Sequence, residues 1–209
     1  FPCQKVIALN GNPLFESESK YYSLSEFIPG EPILVKDMTI DHTLKVLDIL
    51  KSFYRLCKDY SGEIDKKSPR IPPVEAGPHN IEFEEMLNEY KSFVISMNEV
   101  GVLIHGDFKF NHVLRTPDGK NFLLDFDSVK RGNPLEDLAR FIFYSHCTEQ
   151  KQVLSPRDLF NYFIAQDDVW SYNIKDLRDY LRCVSLMDGL GSIWEFNRGF
   201  IDQRGLSMR

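Results

Sequence analysis

Two short polar clusters, each at the end of an apolar run, hold the residues of this 209-residue sequence whose types and spacing could do chemistry. The first is His105-Gly106-Asp107-Phe108-Lys109-Phe110-Asn111-His112, which follows Val102-Leu103-Ile104. The second is Asp125-Phe126-Asp127, which follows Phe122-Leu123-Leu124. A buried strand with an exposed polar end is the usual way to support reactive side chains on a rigid base. Thr116-Pro117-Asp118-Gly119-Lys120 lies between the clusters and is a turn signal, because proline presets φ and Asp-Gly supplies the left-handed position that closes a hairpin. The hairpin brings Asp107, His112 and Asp125 near one another. Two carboxylates and an imidazole suit a divalent cation and a general base.

The surrounding chain supplies the supports. Lys5 to Leu9 reads as a strand, Asn10-Gly11-Asn12-Pro13 as a turn, and Lys20 to Ile28 as a second strand stopped by Pro29-Gly30. Ile40, Leu44, Leu47, Phe53, Tyr54 and Cys57 fall close to helical spacing, so residues 40–58 form an amphipathic helix. Residues 61–78, rich in Pro and Gly, form a long loop. Asn80 caps a helix that runs to about Asn98, with Phe83, Met86, Leu87, Tyr90, Val94 and Met97 on one apolar face; this stripe is core. Gly101 then releases the chain into the strand that precedes His105. Asn133-Pro134-Leu135-Glu136 and Ser155-Pro156-Arg157-Asp158 are both helix starts, with a capping side chain, Pro at the first helical position and an acidic residue at the third. A last helix spans about Ile174 to Phe196, and residues 135–196 make a helical bundle.

The chain is long enough to bury a sizeable core. Its hydrophobic content of 43% and charged content of 27% are those of a soluble globular protein. The net charge of -6 argues against nucleic acid or an anionic membrane as a partner and mildly favours a cationic small molecule. Cys3, Cys57, Cys147 and Cys183 are widely spaced and form no metal-type pair, as in a reduced cytosolic protein. No apolar run approaches the roughly 18 residues needed to span a membrane, so the cytoplasm is the expected location.

His105-Gly106-Asp107, a polar residue five positions after the Asp, an apolar strand, a turn and Leu124-Asp125-Phe126-Asp127 resemble the aminoglycoside phosphotransferase and choline kinase group of small-molecule kinases. Pro134-Leu135-Glu136-Asp137-Leu138-Ala139 extends the resemblance, which is specific over residues 101–143 and looser over 21–32. It implies a protein-kinase-like α+β fold and transfer of the γ-phosphoryl of ATP, or another nucleoside triphosphate, with Mg2+ to a hydroxyl of a small molecule. It also makes Asp107 the catalytic base and Asp125 the metal-binding Asp, with His112, or Asn111 beside it, completing the coordination. The fifth position after Asp107 is usually Asn in this group; His112 follows a His-bearing variant of the motif. Asp127 either binds a second metal or pairs with Lys130 or Arg131. His105 and Asp137 take supporting roles, Asp137 by hydrogen-bonding the loop backbone, and Lys109 either touches the transferred phosphoryl or is a solvated cation. Ser25, Glu26, Phe27 and Ile28 would present hinge backbone groups to the nucleotide base, unless this stretch is only an edge hairpin.

The kinase resemblance divides the chain into a remnant of the small lobe and hinge, residues 1–29, and a large, mostly helical lobe, residues 30–209. The 24 residues before Ser25 carry no glycine-rich phosphate loop and no strand Lys paired with a helix Glu, and Phe1 stands where an initiator Met would be; both point to missing upstream sequence. Two other functions fit the residues: a catalytically silent kinase-like binding protein, and a metal-dependent hydrolase using His105, Asp107, His112 and Asp125. The oligomeric state and the phosphate acceptor are left open by the sequence.

Overall fold

A computed structural model describes residues 2–8, 10–34, 36, 38–62, 81–96, 101–145, 153–165 and 172–197. Among these the chain is α+β. Nine short strands cluster in its N-terminal half and around the two polar clusters, and five helices make up most of the rest.

The first strands are shorter than the sequence suggests. The strand expected over residues 5–9 is reduced to β1, Val6–Ile7, with Leu9 outside the described residues. The single strand expected over 20–28 is instead two. β3, Lys20–Tyr22, folds back on β2, Phe15–Ser17, while β4, Leu24–Ser25, pairs with β1. The hairpin between β2 and β3 turns on Glu18 and Ser19, at φ 50° and 61°. A two-residue turn with both residues left-handed matches the twist of the paired strands, but its sequence signal is normally Asn-Gly or Asp-Gly, which Glu-Ser does not give. After Pro29-Gly30 the chain re-enters a sheet as β5, Glu31–Pro32, an edge strand that the sequence did not suggest. Gly30 allows this close approach, because a Cβ there would collide with the Leu114 side chain and the Arg115 carbonyl.

β5 lies against β7, Val113–Arg115, which pairs in turn with β8, Asn121–Leu123, in the register Val113 to Leu123 and Arg115 to Asn121. This is the hairpin expected around the Pro-Asp-Gly turn: the Thr116 amide donates to the Lys120 carbonyl at 2.9 Å. β6, Val102–Ile104, pairs antiparallel with β9, Lys130–Gly132, so the chain leaves and re-enters the two polar clusters through one ribbon.

α1, Ile40–Cys57, is capped by Thr39, whose hydroxyl accepts from the His42 amide, and buries Val46, Leu47, Leu50, Phe53 and Tyr54 at helical spacing. Lys51 is buried on the same helix. Its ammonium donates to the Tyr162 carbonyl at 2.9 Å and sits over the Tyr162 ring, tying α1 to α4, Pro156–Ile164. α3, Pro134–Phe143, starts as its sequence implies: the Asn133 side chain accepts from the Leu135 amide, and Pro134 occupies the first turn. Ser155 caps α4 in the same way, accepting from the Asp158 amide. α5, Ile174–Asn197, packs along α3 and along α2, Ile81–Ser96, so the expected helical bundle is present. Asn80, Met97 and residues 63–80 lie outside the described residues.

The main core joins α1, α3 and α4 to the strands beneath the polar clusters. Phe108 and Phe110 are buried, with ring centroids 5.5 Å and 4.3 Å from that of Phe141. These two anchors alternate with Asp107, Lys109 and Asn111, so burying the apolar residues turns the polar ones outward.

Candidate functional site

The loop from His105 to His112 is held from below by one buried carboxylate. Asp137, in the first turn of α3, accepts from the His105 and Gly106 amides at 2.8 Å each and from the Tyr54 hydroxyl at 2.8 Å. Burial pushes its carboxyl up from the ordinary range, and His105 with the Tyr54 and backbone donors pulls it back. These bonds hold a backbone that only glycine can adopt without strain. Gly106 has φ 80°, and a Cβ on it would collide with the Ser128 carbonyl. Asp137→Ala strands two backbone N–H groups in the core and leaves the Tyr54 hydroxyl only its 3.5 Å bond to the Pro134 carbonyl, so the variant is expected to lose about 3–5 kcal/mol in urea unfolding, at about 1–3 kcal/mol for each unpaired group. Asp137→Asn recovers only part of this, because its amide nitrogen must face one of the donors. A loss under 1 kcal/mol for the Ala variant would mean that the loop does not depend on this carboxylate.

His105 is fully buried, and its Nε2 lies 2.9 Å from the Leu124 carbonyl, to which it must donate because a carbonyl can only accept. Among the described residues Nδ1 has no hydrogen-bond partner. The ring is wedged among Phe53, Phe108 and Phe126 and fixes the residue just before Asp125. A ring in this position bridges the two clusters and cannot join a solvent-facing metal set.

Asp107, His112 and Asp125 come together. One ligand atom from each lies within 4.8 Å of the others. His112 Nδ1 donates to the Asp107 carbonyl at 2.7 Å, which fixes the ring and turns Nε2 to Asp125 Oδ2, 3.2 Å away. An imidazole anchored through one nitrogen to a backbone carbonyl, with the other nitrogen facing a carboxylate, has the set-up of a metal ligand. Asp125 sits at φ 61°, ψ 65°, a left-handed conformation that is uncommon outside glycine and concentrates at functional positions. The set suits a divalent cation at His112 and Asp125 with Asp107 beside it as a general base.

The other residues singled out by the sequence lie around this group. Asn111 is exposed, whereas His112 is partly buried. Asp127 is exposed in the 3-10 turn Phe126–Ser128. Lys130 holds Glu136 at 2.7 Å, and Arg131 donates to the carbonyls of Tyr60 and Gly62. Lys109 is not simply solvated: its ammonium contacts both oxygens of Asp107, at 2.9 Å and 3.0 Å, and lies 4.5 Å from the centre of the Tyr144 ring. Ser25 ends β4, the Glu26 amide donates to the Lys5 carbonyl at 2.9 Å, and Phe27 is 85% exposed.

Two site residues were not found by sequence reasoning. Arg140, on α3, reaches Asp107 Oδ1 at 3.6 Å, and Glu136 pairs with Arg140 at 3.3 Å as well as with Lys130. The sequence assigned Glu136 only to the helix start, yet its carboxylate faces these two cations. The spacing of four between Glu136 and Arg140 puts both on one helix face and was the available signal.

With this geometry in place, similarity to solved structures is informative. The amicoumacin kinase hAmiN, solved with AMP-PNP, Ca2+ and amicoumacin, superposes with a TM-score of 0.74 at 12% identity, covering 99% of this chain and 69% of that one. The choline kinase LicA from Streptococcus pneumoniae gives 0.60 at 16% identity, covering 100% and 76%. A thermostable aminoglycoside phosphotransferase APH(4)-Ia, in a ternary complex with ADP and hygromycin B, gives 0.59 at 18%, covering 99% and 73%. The fold is therefore the protein-kinase-like α+β fold of the small-molecule kinases. More particularly, residues 74–168 match the model of the phosphotransferase enzyme family, APH, and the resemblance to aminoglycoside phosphotransferases and choline kinases read from the sequence holds. No curated protein matches by sequence. Among the described residues, no helix is long and apolar enough to cross a membrane.

Proposed function

We propose that this chain is a small-molecule phosphotransferase that moves the γ-phosphoryl of ATP, or another nucleoside triphosphate, to a hydroxyl of its acceptor in the cytoplasm. The observation that carries this reading is the convergence of Asp107, His112 and Asp125 at the mouth of a loop pinned by Asp137. The kinases with which the chain shares its fold, solved with AMP-PNP or ADP, support the choice of a nucleotide donor.

The acceptor oxygen forms a bond to the γ-phosphorus while the bond to the β–γ bridging oxygen breaks. The acceptor proton passes to Asp107, and the nucleoside diphosphate leaves. Such a transfer needs little covalent help, so most of the rate comes from placing acceptor and phosphate in line and from neutralising charge. Asp107 orients the hydroxyl and Lys109 stands within reach of the transferred group. His112 and Asp125 would hold Mg2+, which when bound neutralises the phosphate oxygens. We assign residues 1–29 to the small-lobe side and hinge, with Ser25 to Ile28 against the nucleotide base, and residues 30–209 to the large lobe.

The test is a turnover assay of the intact gene product with Mg2+ and ATP or GTP across amino alcohols, sugars and aminoglycosides. The expected result is nucleoside diphosphate formed one-for-one with phosphorylated acceptor. Phosphate release from a simple ester with metal alone would instead identify a hydrolase.

A further inference from the structure

The charged groups around Asp107 form an alternating series. Lys130 holds Glu136, Glu136 holds Arg140, Arg140 faces Asp107 Oδ1, and Lys109 straddles Oδ1 and Oδ2. The two cations on Asp107 are not equivalent. Arg140 is buried, 8% exposed, with its Nη2 also 3.3 Å from the Met187 sulfur of α5, whereas the Lys109 side chain is 25% exposed. Among the described residues the buried Nε of Arg140 has no hydrogen-bond partner, so the side chain is held by its ion pairs with Glu136 and Asp107. Burial works against its charge, but Glu136, Asp107 and Asp137 more than offset this, and the guanidinium stays cationic.

We infer that Arg140 is a positioning residue for Asp107: fixed by Glu136 and Met187, it holds Oδ1 from the buried side and leaves Oδ2 as the oxygen that accepts the substrate proton once Lys109 moves aside. This inference rests on the phosphotransferase reading for its catalytic meaning, but the clamp itself is a property of the fold. A carboxylate ion-paired at Oδ1, at 3.6 Å, with a buried, planar cation and straddled at both oxygens by a flexible ammonium is biased in orientation yet open on the side from which the ammonium can withdraw. When Lys109 withdraws from the two oxygens, the Arg140 ion pair remains to orient the carboxylate.

A thermal-unfolding double-mutant cycle on the full chain tests the clamp without any substrate. Arg140→Met is expected to lower Tm by at least roughly 2–4 °C more in the wild-type background than in Asp107→Asn, because the second background has already lost the charge that Arg140 holds. Arg140→Lys should restore part of the difference. Equal losses in the two backgrounds would show that Arg140 only packs α3 against α5, and would overturn the inference. In the turnover assay, Arg140→Met should lower kcat roughly 10- to 100-fold with KM for the nucleotide little changed, as expected for a misplaced reacting group. A KM rise at constant kcat would assign Arg140 to nucleotide binding instead and also overturn the inference. Absence of turnover in the wild-type intact gene product would count against the phosphotransferase reading alone, and the unfolding cycle would still decide the clamp.

Discussion

Asp107→Asn lowers turnover by roughly two to four orders of magnitude, the range lost when a positioned general base is removed, while nucleotide affinity stays nearly unchanged. The amide keeps the volume of the carboxylate, so Phe108 and Phe110 remain seated in the core and the loop keeps its path. What changes is the chemistry at the tip. An amide oxygen cannot take the acceptor proton, and Lys109 and Arg140 lose the negative charge that they share. The nucleotide is bound through other groups in this reading, the metal set at His112 and Asp125 and the hinge segment, so its dissociation constant should move little. Steady-state kinetics together with nucleotide titration separate the two quantities. Near-normal turnover would remove Asp107 from the reaction and leave its two cations as a surface charge network.

The loop and hairpin were legible because each rests on local rules. The Pro-Asp-Gly turn sets the register of β7 on β8, the Asn133-Pro134 start sets α3, and together they bring Asp137 beneath His105 and Gly106. Alternation of Phe108 and Phe110 with polar neighbours then decides which side chains face outward. The hairpin from Phe15 to Tyr22 was missed for the complementary reason. Its turn is formed by Glu18 and Ser19 in the left-handed region, where pairing of Phe15 with Tyr22, at a centroid separation of 5.5 Å, outweighs the local preference of the turn residues. Arg140 and Glu136 were missed because an Arg on a helix is usually solvated. Only the packing of α3 on α5, which places Met187 behind the guanidinium, makes Arg140 a buried cation facing Asp107.

Asp125→Ala should abolish metal-dependent nucleotide binding, and the structure shows how to separate loss of a ligand from loss of a backbone conformation. Asp125 occupies the left-handed region at φ 61°, where alanine is strained by roughly 1–2 kcal/mol but asparagine is tolerated. Asp125→Asn therefore preserves the turn into the Phe126–Ser128 segment while removing the negative charge, and is expected to bind nucleotide with Mg2+ more weakly than wild type but better than Asp125→Ala. At His112 the order depends on oxygen donors. His112→Asn loses the Nδ1 contact to the Asp107 carbonyl yet offers an amide oxygen to the cation, whereas His112→Ala offers nothing. The Asn variant should thus bind metal-nucleotide better than the Ala variant. Because imidazole suits Mn2+ better than Mg2+, the wild type should gain more from replacing magnesium by manganese than His112→Asn does. Calorimetric titration of the nucleotide with each metal, and without metal, reads all of these differences. If the two His112 variants behaved alike with both metals, His112 would be a loop support and Asn111 the ligand; if Asp125→Ala bound nucleotide as the wild type does, the metal would have to lie elsewhere.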